Sequence, residues 1–175
     1  MNLNKVELTK IGVTCLFVNG VILLFYALLV PAFVRGVHWL ITLAAILFIV
    51  AIPAIYHSIR RVNRGVAKVV AVLFVVAMVA IIVSDLMFAS SFLTRFSHDL
   101  TYVVGNALFV IGVLIIGIVT LKGGFYKWVA YLSIITGVVG LATYLPQAGP
   151  LATLSLLLLG LWSLAVGFNI HKLRK

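Results

Sequence analysis

Long apolar stretches alternate with short polar breaks along the chain. Six such runs fall at approximately 11–33, 38–57, 67–89, 101–121, 126–145 and 150–170. The separators are brief: VRG, SIRRVNRGV, SSFLTRFSHDL, KGGF and PQAG. A helix needs about 20 apolar residues to cross about 30 Å of hydrocarbon, and each run approaches that length. Pro31, Gly36, Gly65, Gly123, Gly124, Pro146 and Pro150 lie at or near the breaks, where helix-stopping residues belong. Pro53 falls inside the second run and predicts a kink near the end of that helix. The first run is too long for the core of a cleaved signal peptide, about 7–15 residues, and is read as a retained helix. No separator is long enough to divide domains. The pattern therefore predicts one all-α domain over residues 1–175, an integral membrane bundle of six transmembrane helices.

Composition agrees. With 65% hydrophobic and 9% charged residues, a water-soluble fold could not cover its apolar surface. The net charge of +10 has two readings, nucleic acid or membrane topology. Nucleic acid is set aside, because no basic face is interleaved with stacking aromatics. Topology fits better. The N-terminus, second loop, fourth loop and tail carry eleven of the thirteen Lys and Arg residues; the other loops carry two, Arg35 and Arg95. Cytoplasmic loops collect cations, so both termini are expected in the cytoplasm of a multi-pass protein of the cell membrane. The expected partners are the lipid bilayer and its anionic headgroups, gripped by Arg60, Arg61, Arg64 and Lys68 at about 1 kcal/mol per charge. Trp39, Tyr56, Tyr102, Tyr126, Trp128 and Tyr144 lie near run ends, where amphipathic rings prefer the interface. The lone Cys15 excludes an intrachain disulfide.

Small residues mark close helix contacts in lipid. Gly105 and Gly112 in the fourth run, Gly160 and Gly167 in the sixth, and Ser133 and Gly137 with nearby Gly140 in the fifth form such seams. They suit packing within the chain; the functional alternative is a substrate path or a gating hinge. Membrane protein partners or a homo-oligomer are the further partners expected.

Candidate chemistry centres on Asp85, one of only three acidic residues. If the third helix is centred near Val79, Asp85 lies about 9 Å outward of the midplane. A carboxylate there costs roughly 2.5–3.5 kcal/mol and must face the bundle interior or water. Asn106, about 7 Å outward of its own helix centre, and the nearby Arg95 and His98 complete an expected polar cluster. Its two readings are a ligand or proton site and a clamp between the third and fourth helices. An Asp85–Arg95 ion pair would let the carboxylate stay charged. Asp99 reads as a cap on the fourth helix. Asn19, in mid-membrane, is expected to bond a neighbouring helix.

Histidines His38, His98, His57 and His171 fall in pairs at the two surfaces, as in di-haem b-type bundles. His38 and His57, however, would stand about 28 Å apart along one helix and point about 100° apart. That places haem at the headgroups, so no haem, other cofactor or metal site is expected. No HExxH, GxSxG or P-loop occurs, and no catalytic residue is assigned.

Residues 104–175 read VGNALFVIGVLIIGIVTLKGGFYKWVAYLSIITGVVGLATYLPQAGPLATLSLLLLGLWSLAVGFNIHKLRK. A long helix, a Gly-containing turn, an aromatic-led helix with TGVVGL, and a last helix with LWSLAVGF and a basic tail follow one another. This half resembles an uncharacterised family of small six-helix prokaryotic integral membrane proteins, a domain of unknown function. The resemblance implies a multi-pass membrane location and transfers no activity and no residue roles. Three functional readings stand: a non-enzymatic accessory or partner-binding subunit, a small-solute or ion transporter with a polar site near Asp85, and a redox or lipid-modifying enzyme.

Overall fold

The computed structural model describes residues 5–29, 38–89, 95–144 and 149–173; the side chains at 5, 38, 88–89, 95–99 and 149–150 lie outside the description. Six helices are formed: α1 (Lys5–Leu29), α2 (His38–Arg60), α3 (Arg64–Ala89), α4 (Arg95–Thr120), α5 (Lys127–Ala142) and α6 (Gly149–Lys172). There is no strand among the described residues. Five helices are long and apolar enough to cross a bilayer; α5, with 16 residues, is shorter. At 1.5 Å per residue it extends about 24 Å. The expected run of 126–145 is thus trimmed at both ends. At its start, Gly123 and Gly124 hold φ of 143° and 90°, and Tyr126 is extended. At its end, the Thr143 amide turns back to the Gly140 carbonyl. The first and fourth helices, conversely, begin ahead of their apolar runs, at Lys5 and Arg95. His98 therefore ends the first turn of α4, and Asp99 follows it. Helix α2 runs on through Pro53, whose ring faces outward.

The helices form a closed ring in chain order, each packed on its neighbours and α6 returning to α1. Every adjacent pair is antiparallel. Gly12 meets Ala54 while Asn19 meets Ala44, so α1 and α2 run oppositely. Gly20 faces Gly160 and Gly167 faces Leu16, which closes α1 on α6 in the same sense. Gly105 against Ala77 with Gly112 against Phe74 does so for α3 and α4, and Gly117 against Ala130 with Gly140 against Val110 for α4 and α5. Thr42, early in α2, meets Asp85, late in α3, and Tyr126, just before α5, and Ser133 of α5 meet Asn169 and Trp162 of α6 in reverse order. An up-and-down ring of six brings both chain ends to one end of the bundle. Val6 and Leu173 indeed line one cavity.

The centre is aromatic. Phe48 of α2, Phe74 of α3, Phe109 of α4 and Trp162 of α6 meet with ring centroids 4.9 to 6.4 Å apart, mostly edge to face. Such pairs favour offset or T-shaped contact because ring edges are positive and faces negative. The Trp162 indole N–H donates to Ser133 Oγ on α5 at 2.8 Å, and Ser133 in turn donates to the Val129 carbonyl. The Ser133 hydroxyl thereby satisfies the one polar atom of a plug that is otherwise all ring. Buried Phe48, Phe74 and Trp162 are each at most 1% exposed. The outer faces carry Val, Leu, Ile and Phe, among them Val21, Phe25, Leu28, Val72 and Ile118, all more than half exposed.

Close approach sets the glycine positions. A Cβ on Gly117 would lie 2.8 Å from the Ile134 nitrogen and 2.9 Å from the Ala130 oxygen, both backbone. At Gly65 a Cβ would meet only Asn63 Oδ1, at 3.4 Å. Gly117→Ala is expected to destabilise by about 1–3 kcal/mol, the cost of overpacking. Gly65→Ala is expected to leave thermal stability in detergent equal or slightly higher. Melting curves of the two purified variants check the contrast.

Candidate functional site

Asn19, Thr42, Asp85 and Asn106 stand in the half of the ring away from the chain ends, while Thr120 and Asn169 are buried nearer the chain ends. Their placement follows from cost: an amide or carboxylate facing lipid would have no partner, so it turns inward. Asn19 of α1 is 2% exposed. Its Nδ2 donates to the Ala44 carbonyl of α2 at 2.6 Å, and the Ser163 hydroxyl of α6 lies 3.0 Å from its Oδ1. The same hydroxyl is 3.1 Å from the Leu16 carbonyl. One asparagine therefore knots three helices together. The sequence foretells a bond to one neighbour; it does not identify Ser163.

Asp85 of α3 is 8% exposed. Thr42 of α2 donates its hydroxyl to Asp85 Oδ2 at 3.0 Å. This tie runs from α3 to α2, where the sequence suggested a clamp from α3 to α4. The carboxylate also lies within electrostatic reach of the Tyr26 and Tyr102 hydroxyls. Thr42 stands near the outer start of the second run, at the depth expected for Asp85, which is the signal that could have found it. Tyr102 was expected among the interface rings. It is turned inward instead, lining two cavities.

Asn106 donates to the Tyr102 carbonyl of its own helix at 3.1 Å. Asn19, Tyr102 and Asn106 line a void of about 40 Å³ above the Phe48 and Phe109 rings. That exceeds the roughly 10–15 Å³ a water needs. Tyr102 and Asn106 also line a cleft of about 280 Å³ between α4, α5 and α6, with Thr143, Tyr144 and Ser155 on its other walls. The Tyr144 hydroxyl donates across this cleft's edge to the Val103 carbonyl at 3.2 Å. The shortness of α5 leaves room for the cleft.

The structure thus brings Asn19 and Asn106 to one void and sets Asp85 beside Tyr102. The Arg95 and His98 side chains, and the Asp99 cap, lie outside the described residues. His57 packs edge-on against Tyr56, and His171 is exposed. Among the described residues no three His, Cys, Asp or Glu side chains converge. Arg60, Arg61, Arg64 and Lys68 are all exposed around the turn between α2 and α3. Asn169, not singled out in the sequence, accepts the Tyr126 amide at 2.8 Å and so fixes the start of α5.

No family model, no curated protein and no solved structure matches the chain.

The two asparagines should separate on mutation. Asn19→Ala strips partners from Ala44 and Ser163 in a buried place, and is expected to lower stability by about 1–3 kcal/mol. Asn106→Ala loses a bond within its own helix and is expected to change stability by less than about 0.5 kcal/mol. Thermal unfolding in detergent, read for both variants beside the parent, checks this.

Proposed function

We propose that the chain is a multi-pass integral membrane protein of the cell membrane, with both termini cytoplasmic, that carries a small polar solute or ion. Five long apolar helices and an apolar outer surface support the membrane reading. The antiparallel ring, with both chain ends at one end, agrees with the segregation of eleven Lys and Arg residues to one side. The resemblance of residues 104–175 to small six-helix membrane proteins points the same way.

One observation carries the transport reading. Asn19, Thr42, Asp85, Tyr102 and Asn106 are turned into the ring of a chain whose outside is apolar, and Tyr102 and Asn106 border both the small void and the cleft. Polar groups held inside a bundle at membrane depth mark solute and ion paths. Below the void, the Phe48, Phe74, Phe109 and Trp162 rings close the way. A carrier open to one side needs such a barrier. The outer approach is lined by hydroxyls and amides, with one carboxylate behind them, which suits a small neutral or cationic solute.

The reading as an accessory or partner-binding subunit draws less support. Its sequence basis is the short loops, the sparse polar core and the small-residue seams. Gly105, Gly112, Gly137, Gly140, Gly160 and Gly167 all face neighbouring helices of the same ring. They are engaged in closing this chain rather than offered to another.

Accessibility tests the proposal without a known substrate. In a Cys15→Ala background, Asn106→Cys in right-side-out vesicles is expected to react with a membrane-impermeant cationic thiol reagent. Thiols placed in the aromatic plug, as in Phe109→Cys, are expected to stay unreactive. If the thiol introduced in place of Asn106 reacts from neither side, or only in inside-out vesicles, the outward-facing solute site is overturned.

A further inference from the structure

We infer that the cavity at the chain-end face of the ring is a binding site for a phosphate group. It is separate from the polar site near Asp85, and the inference stands whether or not the chain carries a solute. The cavity measures about 750 Å³, within the range of roughly 300–1,000 Å³ that small-molecule sites occupy.

Two basic side chains, Arg61 and Lys122, line it. They are distant in sequence and come together because the turn after α4 folds over the end of α2. Gly123 and Gly124 make that turn with φ of 143° and 90°. Gly124 is pressed onto Val62 so closely that a Cβ would collide with its Cγ2, and that Cβ would lie 3.8 Å from the Ser58 carbonyl oxygen. The turn bearing Lys122 is thereby seated against the turn bearing Arg61. Around the cations stand His57, Ser58 and Thr9, which add a ring nitrogen and two hydroxyls.

Among the described residues no carboxylate lines the cavity. The chain has three acidic residues: Asp85 lies in the opposite half, Asp99 follows the first turn of α4, and Glu7, on α1, is outside the lining. The local field is accordingly positive. Arginine offers a planar fork of donors that matches phosphate oxygens, and lysine adds a point charge. Basic pockets between helices at a cytoplasmic face take the phosphates of lipid headgroups. Val62, Ile170 and Leu173 supply apolar walls beside the charges, so the floor suits the glycerol and first methylenes of a lipid. A free phosphate-bearing solute presents the same anion.

Arg64 and Lys68 provide an internal control, since they are exposed basic residues on the adjacent helix and do not line the cavity. The protein in neutral detergent is melted with added phosphatidylglycerol, with phosphatidylcholine, and with inorganic phosphate. Phosphatidylglycerol is expected to raise the melting temperature in a saturable way, and phosphatidylcholine is not. R61Q/K122Q is expected to weaken that effect about tenfold or more, and R64Q/K68Q by less than about twofold, although both remove two charges. If the double variant does not purify as a monodisperse protein, R61Q and K122Q singly carry the same comparison. Saturable stabilisation by inorganic phosphate, lost in R61Q/K122Q, assigns the site to a soluble phosphate compound. Stabilisation by the lipid alone assigns it to a headgroup. Equal weakening in both double variants reduces the effect to surface charge and overturns the site, as does the absence of any shift with lipid and phosphate.

Discussion

A polar atom on a helix surrounded by hydrocarbon has nowhere to go but inward, and there it must find a partner. That constraint organises the whole ring. Asn19 reaches Ala44 and Ser163, tying α1 to α2 and α6. Thr42 reaches Asp85, tying α2 to α3. Tyr144 reaches Val103, tying the end of α5 to α4, and Trp162 and Asn169 tie α6 to α5 through Ser133 and Tyr126. The contact of α3 with α4 is closed by Gly105 and Gly112, which let Ala77 and Phe74 come near. Each bond is worth on the order of 1 kcal/mol in such a setting, so none alone holds the fold. Together they fix which helix lies beside which, a choice that apolar packing leaves open.

The same constraint separates the character of the two halves. In the half away from the chain ends, Asn19, Tyr102 and Asn106 border space that the aromatic rings do not fill. In the half bearing the chain ends, Lys and Arg can reach the interface, so cations collect and a basic cavity forms between α2 and the turn after α4. Between the halves lie four aromatic residues whose one N–H is satisfied by Ser133. The plug can therefore be dry.

Much of this is legible in the sequence because it depends on period, length and charge. The number of helices, their approximate limits and the alternation of Lys and Arg require no knowledge of neighbours. So do the glycine seams, since a glycine within an apolar run usually marks contact. What escapes the sequence depends on pairing. Asp85 bonds Thr42 of α2, 43 residues away, a partner that nearness along the chain does not suggest. Tyr102 was placed at the interface from its position near a run end, and rotation about the helix axis turns it inward. Arg61 and Lys122 belong to separate loops, and only the seating of Gly124 on Val62 brings them to one cavity. The length of α5 was overestimated because apolar content continues past Thr143, where the backbone leaves the helix.

Every cavity described depends on the ring closing, and closure depends on α1 returning to α6 through Gly20 and Gly160. Spin labels at Val18 and Leu161, both exposed on those helices, measure it directly in the protein reconstituted in lipid. Packed helices have axes about 8–10 Å apart, so the doubly labelled protein should give a dipole-broadened spectrum compared with the sum of the two single labels. A spectrum identical to that sum would mean that α1 and α6 stand apart and the ring is open.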